Sequence, residues 1–79
     1  MPFSPNHIAE LNLLLQFPSA SGQEGIKVHR HTAAPDLVQA AENLYTKGLI
    51  SRSDGGYLTP LGCEAAELAQ KLKGILSSR

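Results

Sequence analysis

The fold is decided by residues 44–62, which read LYTKGLISRSDGGYLTPLG. Gly48 is placed to end a helix, because glycine accepts the left-handed conformation that often follows a helical C-terminus. Two β-prone runs then flank Ser-Asp-Gly-Gly at residues 53–56, a pattern typical of a β-hairpin. Thr59 and Pro60 supply an N-cap and a first helical residue. The stretch therefore predicts the end of one helix, a hairpin and the start of another helix.

The helix that begins at Pro60 carries an apolar seam at heptad spacing. Its members are Leu61, Ala65, Leu68, Leu72 and Ile75. Glutamates lie toward the start of this helix and lysines toward its end, which is the arrangement that the helix dipole favours. The sequence therefore predicts a long, capped C-terminal helix with one apolar stripe.

A first helix is predicted over residues 5–17. Ser4 precedes it as an N-cap, Pro5 fits the first helical position, and Pro18 ends it. Its apolar side chains at helical spacing are Ile8, Leu11, Leu14 and Leu15. This helix is expected to supply one wall of the core.

A second helix is predicted over residues 33–47, with Thr32 as its cap. One face is apolar and comprises Leu37, Ala40, Ala41, Leu44 and Tyr45. Between the two helices, residues 19–25 are rich in Ser and Gly and predict a loop. Residues 26–31 alternate apolar and polar side chains at their start, which predicts a short extended segment.

Length and composition limit the function classes. A chain of 79 residues forms one small domain, taken as residues 1–79, and leaves no room for a multidomain enzyme. Seven basic residues balance seven acidic ones, which excludes a histone-like charge binder, and Cys63 stands alone, which excludes a disulfide-stapled toxin. The N-terminus lacks a signal-peptide pattern and no apolar run could span a membrane, so a cytoplasmic location without membrane contact is expected.

The order of elements predicts an α+β, mostly helical domain. Residues 36–72 resemble the C-terminal half of a winged-helix domain, on the residues KGLI, the glycine turn and YLTPLG. The resemblance implies a winged-helix-like fold with a two-stranded wing and a long C-terminal helix. The family has two helices joined by a tight turn before the wing, and residues 18–32 here lack the first of them.

The whole chain resembles a family of small, uncharacterised proteobacterial proteins with winged-helix-like sequence. The likeness is carried by ELNLL at residues 10–14, GIKVH at residues 25–29 and GGYLT at residues 55–59. That family implies a bacterial source and no established activity.

The winged-helix resemblance implies a DNA-associated or transcription-regulatory module without catalytic activity. Its recognition helix would be the helix before the wing, and Gln39 and Asn43 are base-reading types four residues apart on it. The expected double-stranded DNA contacts are Lys27, Arg30, Gln39, Asn43, Lys47 and Arg52. If the four cations each neutralised one phosphate, the salt slope would be about −3.6.

The alternative is a protein-interaction or dimerisation module that binds no nucleic acid. Its surface would be the seam of the C-terminal helix, and the partner would be a second copy or another protein. For a chain of this size, packing of the seam on the first helix is the competing expectation, because a small core needs every apolar face.

The sequence gives little support to a metal site, a cofactor site or a catalytic site. His29 and His31 would share one side of a strand, but no third ligand stands at a matching spacing, so neither a metal nor a cofactor is expected. Cys63 lies in the first turn of a helix without a paired histidine base, so the chain is not expected to be an enzyme.

Overall fold

The described part of the chain contains three helices and three strands. The helices are α1 (Pro5–Leu14), α2 (Pro35–Thr46) and α3 (Pro60–Ser77), and the strands are β1 (Ile26–Lys27), β2 (Ile50–Arg52) and β3 (Gly55–Leu58). The structure is a computed structural model, and it describes residues 2–17, 25–29 and 31–78. The strands form one antiparallel sheet in the order β1-β3-β2. The expected α+β domain with a hairpin and a long C-terminal helix is confirmed.

Helix α1 starts where the sequence predicts and ends earlier. The Ser4 side chain accepts a hydrogen bond from the His7 amide at 3.2 Å, and the His7 ring accepts one from the Ser4 amide, which makes a reciprocal cap. The helix ends at Leu14, and a turn carries the chain on to Phe17, which is buried. The predicted stop at Pro18 and the loop up to residue 24 lie outside the described residues.

The start predicted for α2 is wrong by two residues. The helix begins at Pro35, and its N-cap is Ala34, which makes no side-chain capping bond. Proline disfavours helical geometry in the residue before it, and Ala34 is accordingly extended at φ −61° and ψ 143°. Thr32 instead belongs to a turn in which its amide donates to the His29 carbonyl at 3.0 Å.

The end of α2 follows the expected glycine pattern. Gly48 has φ +82°, its amide donates to the Tyr45 carbonyl, and the Leu49 amide donates to the Leu44 carbonyl at 2.9 Å. This pair of bonds is a Schellman motif, which satisfies the last carbonyls of the helix. The chain is thereby turned directly into β2.

The predicted hairpin is confirmed, with its tip shifted. Ser53 and Asp54 form the turn, and both glycines belong to β3. The register shifts between the pairs Ile50–Leu58 and Arg52–Gly55, so the hairpin contains a bulge. In the extended segment predicted over residues 26–31, Ile26–Lys27 pairs as a strand against the two glycines, and the other described residues of the segment lie outside the sheet. A Cβ at Gly55 would meet the Ile26 backbone, which explains why glycine is required there.

Thr59 joins the hairpin to α3. Its hydroxyl donates to the Gly48 carbonyl at 2.6 Å and accepts from the Gly62 amide at 3.0 Å, so it caps α3 as expected. Its amide donates to the Leu49 carbonyl at 3.0 Å. One residue therefore fastens the end of α2, the base of the hairpin and the start of α3 together.

The core lies where α1, α2 and the sheet meet the first half of α3. Its largest fully buried side chains are Leu13, Phe17, Leu44 and Ile50. Helix α3 contributes only small residues to it, namely Gly62, Ala66 and Ala69. Because these residues are small, α3 approaches closely, and a Cβ at Gly62 would collide with the Leu49 backbone.

Candidate interaction surfaces

A buried carboxylate organises the contact between α1 and α2. The Glu10 side chain is 9% exposed, and it pairs with the Lys47 ammonium at 2.5 Å. Its second oxygen accepts a hydrogen bond from the Asn43 amide at 3.2 Å. Asn43 in turn accepts from the Gln39 amide at 3.0 Å. Four polar side chains thus form one chain of contacts across the two helices.

This network contains the two residues predicted to read bases, Gln39 and Asn43, and one predicted phosphate contact, Lys47. Gln39, Asn43 and Lys47 do lie on one side of α2, but their polar groups are joined through Glu10 to α1. A base edge would have to compete with these intramolecular contacts. The arrangement is that of a helix–helix contact that fixes the position of α1, because a buried charge needs its partners to remain in place.

An open groove of about 930 Å³ runs beside the hairpin. Lys27 and Arg52, two of the predicted phosphate contacts, line it together with His29 and His31. Asp54 also lines the groove, and its carboxylate lies 3.9 Å from the Lys27 ammonium. Lys47 is not among the lining residues, so the predicted cations fall into two places. Arg30 lies outside the described residues.

The outward face of α3 carries large apolar side chains that nothing in the described chain covers. Leu61 is 54% exposed, Leu68 is 59% exposed and Ile75 is 71% exposed. Leu72 and Leu76 are exposed as well, whereas Ala65 is half-buried against the core. The expectation that the seam packs on the first helix is therefore wrong for Leu61, Leu68 and Ile75, because α3 turns its small residues inward instead.

The two edges of this seam differ in character. In heptad terms, Leu61, Leu68 and Ile75 occupy d positions, and Ala65 and Leu72 occupy a positions. On one side the e positions are Gly62, Ala69 and Leu76, which face the rest of the molecule or line a cleft toward α1. On the other side the g positions are Glu64 and Lys71, which are exposed.

The cleft between α1 and the second half of α3 has a volume of about 280 Å³. Its apolar lining comprises Ile8, Leu11, Leu15, Ala69, Leu72 and Leu76. It opens beside the α3 seam, since Leu72 belongs to both. The exposed seam residues together with Ile8 and Leu76 therefore make a continuous apolar surface, which we call the α3 face.

The histidines and the cysteine do not assemble into a reactive site in the described residues. No group of three or more His, Cys, Asp or Glu side chains comes together there as metal ligands. Cys63 is a free thiol, half-buried at the edge of the core. No described helix has the length and apolar character needed to cross a bilayer.

Glu10 was missed by the sequence reasoning, although a signal for it exists. Residues 10, 13, 14 and 17 follow the i, i+3, i+4, i+7 spacing of a buried helix face. Leu13, Leu14 and Phe17 are buried, and Glu10 completes the same face. The pattern does not by itself predict that Glu10 is buried, because charged residues are rarely buried unless they are paired.

The chain belongs to a family of unknown function (DUF5669), whose sequence profile matches residues 1–77. This confirms the expectation of an uncharacterised family. No curated protein and no solved structure matches the chain.

Proposed function

We propose that this member of a family of unknown function is a non-catalytic protein-interaction module whose working surface is the α3 face. The observation that carries the proposal is the exposure of five large aliphatic side chains on a single helix. They are Leu61, Leu68, Leu72, Ile75 and Leu76. Single exposed apolar residues are ordinary, but a contiguous row marks a site that another molecule covers.

The energetics support a protein partner. Full burial of a Leu or Ile side chain stabilises by about 1.5–3 kcal/mol relative to full exposure. More than half of the surface remains exposed at each of the seam residues Leu61, Leu68 and Ile75, so more than half of this stabilisation is not gained in the single chain. A partner helix that covered them would recover several kcal/mol, which is enough to offset part of the cost of association.

The shape of the surface supports a helical partner. The seam repeats at heptad spacing, and such a repeat accepts the side chains of a second helix between its own. Ala65 lies between Leu61 and Leu68 and is small, so a second helix can approach closely at this point.

Site-specific photocrosslinking in the native cell tests the proposal. A photoreactive phenylalanine analogue in place of Leu68 should give covalent protein adducts, because the α3 face would lie against its partner. The same analogue in place of Tyr57 is the matched control, since Tyr57 is 54% exposed against 59% for Leu68 but lies on the hairpin. Absence of adducts at position 68, or equal adducts at both positions, would overturn the proposal.

A second candidate is association with double-stranded DNA by a winged-helix-like arrangement. It is supported by the groove beside the hairpin, where Lys27 and Arg52 lie with His29 and His31. The order of helix, hairpin and helix over residues 35–77 also supports it. The pairing of Lys47 with Glu10 argues that the hairpin side, and not the exposed end of α2, would meet the phosphates.

An anisotropy titration with mixed-sequence duplex DNA at about 50 and 200 mM salt tests this second candidate. Arg52→Ala should reduce the slope of log affinity against log salt by about 0.9, the value for one phosphate contact. Lys73→Ala, on α3, should leave the slope unchanged. Absence of binding by the unaltered chain at the lower salt concentration would remove DNA association.

A further inference from the structure

We infer that the α3 face binds a second copy of this chain, with the two α3 helices antiparallel and centred on Leu68. The inference rests on the proposed function and deepens it by naming the partner and its orientation. Leu61 and Ile75 stand seven residues to either side of Leu68. In an antiparallel pair, Leu61 of each copy therefore meets Ile75 of the other, and the two Leu68 side chains meet at the two-fold axis.

The charges beside the seam fit this orientation. Glu64 and Lys71 occupy successive g positions on the exposed edge of the seam. In an antiparallel pair each g edge runs along the g edge of the other helix. Centring on Leu68 sets Glu64 of one copy beside Lys71 of the second copy, and the symmetry repeats this contact. Charges at such flanking positions set the orientation of paired helices.

A parallel pair does not fit the same surface. It would set each g edge against the e edge of the other helix, so Glu64 and Lys71 would meet Gly62, Ala69 and Leu76. Those e positions carry no charge, and two of them are buried against their own chain. The parallel arrangement would therefore pair charged side chains with an edge that is already covered.

The two charged groups are available for this contact. Glu64 is exposed and makes no ion pair within the described residues. Lys71 lies 3.6 Å from the Glu67 carboxylate, but both side chains are largely exposed. An exposed pair of this kind contributes little to stability, so Lys71 can turn to a second copy at small cost.

Charge exchange on the full chain tests the orientation. We expect the unaltered chain to be a dimer in sedimentation equilibrium. Glu64→Lys should turn both intermolecular pairs repulsive and weaken the dimer about tenfold at low salt, and Lys71→Glu should do the same. The double variant Glu64→Lys with Lys71→Glu should recover the original affinity, because the pairs are re-formed with reversed sign.

A mixture of the two single charge variants tests the antiparallel pairing more directly. The variants Glu64→Lys and Lys71→Glu each repel themselves but complement one another, so native mass spectrometry with one copy ¹⁵N-labelled should find mainly the mixed dimer. Lys73→Glu is the matched control, because it alters the charge of α3 away from the g edge and should change the affinity less than twofold. Circular dichroism of each variant checks that the fold is retained.

A distance measurement decides the orientation independently. With Cys63→Ser in the background, a nitroxide label on Ser77→Cys should report two labels about 27 Å apart along the helix axis, from 18 residues at 1.5 Å each. A parallel pair would bring them to about 10 Å.

Three results would overturn the inference: a monomer at millimolar concentration, a dimer indifferent to the charge exchanges, or the short label distance. If photocrosslinking at position 68 still gave protein adducts, the proposed function would stand, with a different partner or orientation. Failure of the dimer inference can therefore be told apart from failure of the proposed function.

Discussion

Replacing Lys47 by methionine should destabilise the fold more than an ordinary surface substitution does. Methionine keeps the aliphatic stem but removes the ammonium group, and the Glu10 carboxylate then retains only the Asn43 amide as a partner. Breaking a fully buried ion pair costs about 3–5 kcal/mol. The Lys47 side chain is 47% exposed, so water can replace part of the lost contact. We therefore expect a loss of about 2 kcal/mol.

Urea unfolding followed by circular dichroism measures this loss. A domain of this size has a slope near 1 kcal/mol per molar urea, so the midpoint should fall by about 2 M. Lys27→Met is the matched control, because Lys27 also faces a carboxylate but at 3.9 Å and in solvent. Its cost should stay below about 0.5 kcal/mol.

A double-mutant cycle separates the ion pair from other effects. Glu10→Gln keeps the shape and one acceptor for Asn43, and it should cost about 1 kcal/mol. Combined with Lys47→Met it should cost less than the sum, because no unpaired buried charge remains. Additive losses, or a loss for Lys47→Met no larger than for the control, would refute the claim that the buried carboxylate depends on Lys47.

Three further stability predictions follow from α3 and its cap. Gly62→Ala should cost about 3 kcal/mol or more by thermal unfolding, because the added Cβ collides with the Leu49 backbone. Gly74→Ala should instead raise stability by about 0.5–1 kcal/mol, because its Cβ meets open space in the same helix. Thr59→Ala should cost about 1–2 kcal/mol through the lost cap, and Thr59→Ser should restore most of it. Equal effects at the two glycines would contradict the close approach of α3.

The local parts of the fold could be predicted from the sequence because their causes are local. Gly48 at the end of α2 and Thr59 at the start of α3 act through bonds to residues close in the chain. The predicted start of α2 at residue 33 is wrong because Pro35, and not a cap at Thr32, fixes both the first helical residue and the extended conformation before it.

The parts that could not be predicted depend on which face turns inward. The heptad seam identified an apolar stripe on α3, but hydrophobic spacing favours large side chains and cannot show that Ala66 and Ala69 form the inner face. That choice depends on how near α3 can come to the sheet at Gly62. The burial of Glu10 could not be predicted for a related reason, because its partner Lys47 lies 37 residues away in the chain.

The three bonds of Thr59 have a consequence for the order in which the chain folds. They join residues no more than 11 positions apart, so the unit formed by the hairpin and its two flanking helix ends closes few long loops. Helix α1 packs on α2 through contacts between residues farther apart along the chain, and Asn43 and Glu10, for example, are 33 positions apart. Pulsed hydrogen exchange should therefore find the amides of Leu49 and Thr59 protected early, and docking of α1 as the late step.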